Sequence, residues 1–426
     1  MSSAWKYPFV QSADPHIDLS SQDAFNQGAP LSTFARMQDE GEITWTEETG
    51  GRGFWSVTRL EDIMALNRQP DLLSSAKGIR IEDQTEEEYE ARKTFQETDQ
   101  PEHTYFRMLV NKAFSRNQVA LFEDQIREIT GDLIDKCLQM GEFDATHEIA
   151  RQLPMRMLGQ IIGVPQEDTD WLVEKGDALI SNADPEYTDF VVDKIDTEEY
   201  RLLPFRSPAA IELFDYANDL LKRMDEGESF GVLNLVLQKT KDGRSMSHDE
   251  FRNFFCLLVA AGNDTTRYSI AASIHALANQ PSLLQQLKDN LGNEEFMMTA
   301  ADEMIRWASP TTHFRRTATR DFEHGGKTVK KGDKVVLWFT AGNRDTRAFD
   351  NPNEIDLTRK PNRFVSFGQG GPHVCLGMWL AKLEVRIVLE ELARRVGTLE
   401  QTANHDYLRS NFILGIKHLP VRMTAA

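Results

Sequence analysis

One long apolar helix constrains the fold of this chain more than any other feature. Ser247-His-Asp-Glu250 has the spacing of a capping box, and Gln280-Pro281 is the next signal that stops a helix. The pattern between them predicts a helix of about 33 residues and roughly 50 Å. Its middle, residues 254–259, is apolar on nearly every side, which is typical of a buried helix. We therefore expect this helix to cross the whole molecule.

A short polar motif interrupts that apolar helix. It reads Ala261-Gly-Asn-Asp-Thr-Thr-Arg267, and a glycine inside a helix costs about 1 kcal/mol relative to alanine. One interpretation is a local kink in which Thr265 donates a hydrogen bond to a carbonyl one turn earlier. The other is functional, because an acid beside an alcohol, Asp264 and Thr265, can deliver protons to a reacting group. The choice between them depends on what the rest of the chain supplies.

A second motif places one cysteine in a glycine-rich loop that leads into a helix. The loop reads Phe367-Gly-Gln-Gly-Gly-Pro-His-Val-Cys-Leu-Gly377, and apolar residues at helical spacing follow it until Gly397, which we predict to end the helix. The Cys375 sulfur would then lie at a helix N-terminus, where backbone N–H groups favour a thiolate that can bind iron. A buried structural cysteine is the alternative. Zinc fits poorly, because Cys137 and Cys256 are too distant in sequence to form ligand pairs.

The cysteine loop and the Asp-Thr motif together resemble the cytochrome P-450 family of haem-thiolate monooxygenases. The resemblance spans almost the whole chain, so it implies that residues 1–426 form a single domain. It also implies a mainly α fold with a small β lobe, in which haem lies between the long distal helix and the loop that carries Cys375. By the same resemblance, heme b (iron protoporphyrin IX) takes Cys375 as its metal ligand, Thr265 donates a hydrogen bond to dioxygen, and Asp264 relays protons from solvent.

The resemblance implies further residues around the haem. Propionates are carboxylates that need cationic or hydrogen-bonding partners when buried. The matching positions are His103, Arg107, Arg316 and His373, with Arg315 as the alternative to Arg316. The other implied cofactor-binding residues are Ala261, Phe367, Gly368 and Gly377. A buried network that supports the proximal side is implied for Glu303, Arg306 and Arg359.

One branch of the family resembles this sequence more than the others do. Phe367 and Cys375 are eight residues apart where most bacterial relatives have seven, and this variant resembles enzymes that hydroxylate sterol side chains and methyl-branched lipids. The implied reaction inserts one oxygen atom from O2 into a C–H bond of a hydrophobic small molecule. A sterol, terpenoid or branched lipid is favoured, and an aromatic or linear alkane is the alternative. A peroxide-using peroxygenase and a non-catalytic haem sensor are the competing functions. By family position, the substrate residues are Ile79, Val259, Ala260, Ser309, Thr312, Phe412 and Ile413.

Charge and composition limit the partners of this chain. Lys+Arg 48 against Asp+Glu 67 gives a formal net charge of −19, which argues against nucleic acid or an anionic membrane surface. The stretch Met1–Lys6 has no apolar core of a signal peptide, so we expect a cytoplasmic protein without a membrane anchor. No flavin or iron–sulfur segment is evident, so a separate ferredoxin and ferredoxin reductase are expected to deliver electrons. One interpretation of four basic residues is a docking patch for that donor, and an ordinary solvated face is the other. They are Lys112, Arg116, Lys382 and Arg386.

Overall fold

Alpha-helices form the framework of this protein. The computed structural model describes residues 17 to 426, and the prediction for Met1–Lys6 lies outside the described residues. In chain order the α-helices of the described part are α1 Leu31–Glu40, α2 Leu60–Asn67, α3 Glu86–Arg92, α4 Glu102–Val110, α5 Arg116–Val119, α6 Glu123–Met140, α7 Gln152–Ile162, α8 Thr169–Ile180, α9 Ala209–Asp225, α10 Leu233–Val236, α11 His248–Asn279, α12 Pro281–Asp289, α13 Glu294–Ala308, α14 Phe339–Gly342 and α15 Met378–Arg395. Short 3₁₀ turns and a π-helical segment, Thr146–Ala150, join several of them.

The longest helix, α11, has the extent that its capping signals predict. The Ser247 hydroxyl accepts from the Glu250 N–H, and the Glu250 carboxylate accepts from the Ser247 N–H at 2.8 Å, so the capping box is formed. The helix runs for 32 residues and is surrounded by α7, α8, α9, α13 and α15, which explains its apolar middle. Gly262 allows the approach of α7, because a Cβ there would lie 2.7 Å from Leu158 Cδ2. The predicted long helix is confirmed.

The strands make up a small β lobe and three minor sheets. They are β1 Thr44–Thr46, β2 Phe54–Val57, β3 Leu73–Ser74, β4 Glu142–Asp144, β5 His313–Ala318, β6 Phe322–His324, β7 Lys327–Val329, β8 Lys334–Trp338, β9 Val396–Gln401, β10 Asp406–Tyr407, β11 Ile416–His418 and β12 Pro420–Ala425. The lobe is a five-stranded sheet in the order β1-β2-β8-β5-β3, in which β2 and β8 are parallel and the other pairs are antiparallel. The predicted mainly α fold with a small β lobe is confirmed.

The helix after the cysteine loop ends earlier than the sequence pattern predicts. α15 ends at Arg395, and Val396 begins β9, so Gly397 is a strand residue and does not end the helix. A Cβ at Gly397 would lie 2.4 Å from the Ala425 carbonyl oxygen, so this glycine is needed where β9 pairs with β12. The apolar spacing could not show this, because the strand pairing is a long-range contact.

A continuous cluster of buried apolar side chains runs through the described chain. Its members extend in sequence from Leu19 to Met423 and include residues of both the helices and the β lobe. This continuity agrees with one domain over residues 1–426, which stays a prediction.

Candidate functional site

A cavity of about 450 Å³ lies beside the middle of α11. Ala261 and Thr265 line it from this helix, and Cys375 lines it from the loop before α15. Much of the remaining wall is apolar, as in sites for small hydrophobic molecules. Its apolar members include Phe114, Leu158, Phe314, Phe339, Leu380 and Phe412. Two motifs that are far apart in sequence therefore face the same space.

Hydrogen bonds fix the shape of the cysteine loop. The Cys375 N–H donates to the Phe367 carbonyl at 2.9 Å, and the Asn67 side chain donates to the Gly368 carbonyl at 2.8 Å. Gly368 has a φ of 67°, a conformation that favours glycine. Cys375 is exposed to the cavity, yet protein surrounds it on its other sides, and this burial raises the pKa of its thiol. Backbone N–H groups at the start of α15 and the Arg107 charge act in the opposite direction and favour the thiolate.

Four basic side chains line the cavity near the cysteine loop. His103 and Arg107 come from α4, Arg316 comes from β5, and His373 belongs to the loop itself. The rings of His103 and His373 have their centroids 4.0 Å apart. Burial and the neighbouring arginines lower the pKa of His103 to about 4 and that of His373 to about 2. Burial also lowers the pKa of Arg316 to about 10, opposed by the charge of Asp99. The cluster therefore has too little negative charge of its own to balance its two arginines.

This cluster fits the two carboxylates of a haem. Neither ring nitrogen of His103 has a hydrogen-bond partner within residues 17–426, and such unpaired buried atoms are rare in folded proteins. Carboxylates would pair with these donors and balance the arginine charges. Gly377 leaves open space on the cavity side, since an added Cβ would meet no atom within 4 Å. With a cysteine sulfur facing the same space, the residues present fit a flat, iron-bearing dicarboxylate.

The two arginines of β5 face opposite ways, as successive residues of a strand do. Arg316 lines the cavity, and its Nη2 donates to Asn67 Oδ1 at 3.5 Å. Arg315 donates to the Glu82 carbonyl at 2.9 Å and pairs with Asp83 at 3.1 Å. Of the two alternatives, Arg316 is therefore the residue that lies with His373.

Asp264 and Thr265 lie on different sides of α11. Thr265 lines the cavity and donates to the Ala261 carbonyl at 3.2 Å, and this bond occurs without a break in the helix. Asp264 is fully buried and pairs with Arg267, which also pairs with Asp177 of α8. Burial raises the pKa of Asp264 to about 7 against the effect of Arg267, and the Asp177 charge adds to the rise. Only Thr265 of the predicted pair reaches the cavity directly.

Glu303, Arg306 and Arg359 form a buried ionic network. Arg306 donates from Nε and Nη2 to the two carboxylate oxygens of Glu303, both at 2.7 Å, and Arg359 Nε reaches the same carboxylate at 3.1 Å. Arg306 Nη1 also donates to the carbonyls of Asn343 and Pro352 at 2.8 Å. The network therefore joins α13 to the segment that precedes the cysteine loop, and none of its three members lines the cavity.

The predicted substrate residues divide into two groups. Ile79, Ala260, Phe412 and Ile413 line the cavity. Val259, Ser309 and Thr312 do not line it, and contact of any of the seven residues with a substrate stays a prediction.

The three exceptions are turned away by specific contacts. Val259 faces α8, where a Cβ added to Gly176 would lie 3.2 Å from Val259 Cγ1. Ser309 directly follows α13, and its hydroxyl accepts from Asn343 Nδ2 at 3.0 Å. Thr312 is fully buried and its hydroxyl donates to the Asn411 carbonyl. In each of the three cases a neighbour in sequence lines the wall instead, namely Ala260, Pro310 or Thr311.

Some residues of the site carry no motif signal. Asn67, at the end of α2, holds the Gly368 carbonyl and also accepts from Arg316. A lone asparagine gives no indication of such a role in sequence. Phe314 and Phe339 line the cavity from β5 and α14, and an alternating strand pattern does not show which face meets a ligand.

The predicted basic patch is smaller than expected. Arg386 is buried and pairs with Glu123 at 2.7 Å and with Glu390 at 3.1 Å. Lys382 pairs with Asp302 at 2.8 Å. Lys112 and Arg116 remain exposed, and Arg116 lies 5.5 Å from the Trp379 ring.

Comparison with known proteins identifies the family. The model for the cytochrome P-450 family matches residues 210–411. The steroid C26-monooxygenase of Mycobacterium bovis is 30% identical, over 96% of this chain and 93% of that protein. The methyl-branched lipid omega-hydroxylase of the same organism is 32% identical, over 97% and 96%. The structure of Mycobacterium marinum cytochrome P-450 CYP268A2 in complex with pseudoionone aligns with a TM-score of 0.85 and 33% identity, over 97% of this chain and 99% of that one. The chain belongs to the cytochrome P-450 family.

Membership of this family confirms the predicted class of enzyme. The protein is a monooxygenase, and the family implies a haem cofactor, a hydrophobic substrate and O2. The predicted relation to sterol and branched-lipid hydroxylases is confirmed by the two relatives named above. Between residues 17 and 426, no helix has the length and apolarity to cross a membrane.

Proposed function

We propose that this protein uses heme b and O2 to hydroxylate a sterol, a terpenoid or a branched lipid. One oxygen atom enters a C–H bond, the other leaves as water, and a separate donor supplies two electrons. The observation that carries the proposal is that Cys375 and Thr265 line one largely apolar cavity.

In this proposal the chain itself holds the cofactor from two sides. The Cys375 thiolate ligates iron, and the N–H groups at the start of α15 hold the sulfur in place. The cluster of His103, Arg107, Arg316 and His373 binds the propionates. Bound haem supplies the iron centre that activates dioxygen, and thiolate ligation favours O–O cleavage.

Proton supply is assigned to the polar motif of α11. The Thr265 hydroxyl faces the cavity and is placed to donate a hydrogen bond there once it leaves the Ala261 carbonyl. Asp264, with a pKa of about 7, can take and release protons near neutral pH. Its partner Arg267 connects it to Asp177, and Arg151 at the far end of this chain of charges is partly exposed. The charged chain thus leads from the buried acid toward solvent.

Two observations support the substrate class. The cavity wall is largely apolar and its volume is in the range of pockets for small hydrophobic ligands. The relatives named above act on steroids and on methyl-branched lipids. An aromatic compound or a linear alkane is the alternative within the same chemistry.

The electron donors are a ferredoxin and a ferredoxin reductase in this proposal. The exposed Lys112 and Arg116 lie on the side of the molecule where Trp379, next to the cysteine loop, contacts Arg116. Basic side chains at this place suit an acidic electron carrier. The cytoplasmic location stays a prediction.

The reduced carbon monoxide complex tests the cofactor assignment. Wild type should give the strongly red-shifted Soret band of a thiolate-ligated haem, and Cys375→His should lose it. Cys137→Ala, which changes a buried cysteine of α6 away from the cavity, is the matched control and should keep the band. A red-shifted band that persists in Cys375→His would reject Cys375 as the ligand.

Titration of the ferric protein tests the substrate. Sterols, terpenes or branched lipids should convert the iron from low to high spin, because they displace water from the cavity. A response to small aromatics alone would leave the family intact and reject this substrate class. Product formation with peroxide, but not with O2 and a competent electron source, would instead indicate a peroxygenase.

A further inference from the structure

Apart from Arg107 of the basic cluster near the cysteine loop, one arginine of the described cavity wall, Arg80, has no polar partner. Arg80 lies in the segment between β3 and α3, and its guanidinium carbon is 4.8 Å from the Phe205 ring centroid and 4.7 Å from that of Phe412. Within residues 17–426 it makes no hydrogen bond and no ion pair, and its buried Nη2 has no acceptor. An arginine carries five N–H donors, so this is a costly arrangement inside a protein.

The neighbouring arginines show that Arg80 is unusual. Arg92 donates to the Gln84 side chain at 2.8 Å and to the Arg201 carbonyl at 3.1 Å. Arg315 donates to the Glu82 carbonyl at 2.9 Å. The fold thus supplies acceptors to these two arginines and leaves the cavity-facing Arg80 without one.

The charged groups around Arg80 do not satisfy it. Glu82 and Glu97 are the acids whose charges act on it, but neither forms an ion pair with it. Glu82 is exposed and accepts from Gln22 at 3.3 Å. Burial raises the pKa of Glu97 to about 6, against the charges of Arg92 and Arg80, so this carboxylate is protonated more readily than that of an ordinary glutamate. The N–H groups of the Arg80 guanidinium therefore remain available to hydrogen-bond a bound anion.

A row of aromatic rings leads from Arg80 to the cysteine loop. Phe412 contacts Arg80, Phe314 meets Phe412 at 5.6 Å, and Phe339 meets Phe314 at 5.6 Å, both edge to face. Phe339 in turn lies beside Gly368, where an added Cβ would be 3.6 Å from its ring. All three rings line the cavity. They form a continuous apolar wall with a cation at one end and the cysteine loop at the other.

We propose that Arg80 binds the carboxylate of an amphipathic substrate, so that the enzyme acts on a sterol acid or a branched fatty acid at the apolar end remote from that carboxylate. The proposal rests on the monooxygenase function above and makes its substrate class more specific. A guanidinium and a carboxylate form two parallel charge-assisted hydrogen bonds. The two aromatic contacts hold the guanidinium in place without using its N–H groups. The apolar remainder of the ligand then lies along the phenylalanine wall toward Cys375.

Binding of matched acids and esters tests this. Lithocholic acid and isopalmitic acid, each with its methyl ester, are titrated into wild type, Arg80→Gln and Lys77→Gln, and the spin-state change gives the dissociation constant. Hydrogen bonds to a charged group contribute roughly 1.5–3 kcal/mol, so Arg80→Gln should weaken binding of at least one acid by about 10- to 100-fold. Its ester should change little. Lys77→Gln alters an exposed residue of the same segment and should behave as wild type.

Three results would overturn the proposal. They are equal binding of acid and ester by wild type, equal loss of both in Arg80→Gln, and no binding of either acid. The reduced carbon monoxide band of each protein distinguishes these three results from failure of the proposed monooxygenase function, because the band reports whether the haem site is intact. If the band is present in wild type and in Arg80→Gln, the haem site is intact and the acid preference alone is judged. Arg80→Gln removes a half-buried charge that has no polar partner, so we expect the variant to fold.

Discussion

The imidazole rings of His103 and His373 lie 4.0 Å apart, between centroids, and both face the cavity. Their pKa values, about 4 and about 2, mean that both rings are neutral at pH 7. A pair of neutral imidazoles can donate hydrogen bonds beside two arginines without adding to the positive charge. This arrangement stabilises a bound dicarboxylate, but it makes the fold less stable when no dicarboxylate is bound.

Replacing His103 with phenylalanine should stabilise the haem-free protein and weaken its binding of haem. The folded pKa lies below the unfolded value, so stability is lost as pH falls from about 6.5 toward 4, where the unfolded chain binds more protons. His103→Phe removes this loss and the cost of unpaired ring nitrogens, so the haem-free variant should be more stable than wild type, with the larger gain at pH 5 than at pH 8. Its haem content should fall. Urea denaturation and haem quantification check both, and unchanged haem content would contradict the propionate assignment.

Thr265→Ala should separate oxygen use from product formation. The variant loses one hydrogen bond, to the Ala261 carbonyl, so its stability should change by no more than about 1 kcal/mol. Haem binding should be normal. The fraction of electrons recovered in product should fall severalfold, with the rest appearing in peroxide or water. Thr265→Ser keeps the hydroxyl and should restore coupling. Full coupling in the alanine variant would reject the role of Thr265.

The charge of Asp177 should set the pH dependence of the reaction. Asp177 raises the pKa of Asp264, so Asp177→Asn should lower that pKa from its value of about 7. If Asp264 relays protons, the limb of the pH–rate profile near pH 7 should move to lower pH in the variant. Asp170→Asn, an exposed change on the same helix α8, should leave the profile in place. A profile that stays unchanged in Asp177→Asn would exclude Asp264 as the titrating group.

Loss of Glu303 should destabilise the fold. Glu303→Gln leaves the buried Arg306 and Arg359 without their carboxylate, and breaking a buried ion pair from one side costs about 3–5 kcal/mol. Chemical denaturation should show this loss. Glu295 lies on the same helix as Glu303 and forms an exposed pair with Lys360. Glu295→Gln is therefore the control and should show no measurable change in stability. Stability close to wild type in Glu303→Gln would contradict the supporting role of the network.

Local signals in the sequence were sufficient wherever a short segment determines its own conformation. The capping box at Ser247 and the stop at Pro281 predicted α11, because capping groups and proline act on adjacent backbone. The loop around Cys375 predicted a sulfur beside a helix start for the same reason. The predicted helix stop at Gly397 was wrong, because that glycine is required by close backbone packing against the distant Ala425.

The direction of each side chain was decided by the tertiary structure. One residue along a helix turns the side chain by about 100°, and one along a strand reverses it, so Val259 and Ala260, or Arg315 and Arg316, differ only once the elements are packed. Segments far apart in the chain also bury polar groups or provide their hydrogen-bond partners, and the spacing of residues in the sequence cannot show this. Arg80 is the clearest case, because no motif in the sequence marks it, whereas the packed structure leaves its donors unpaired in the cavity.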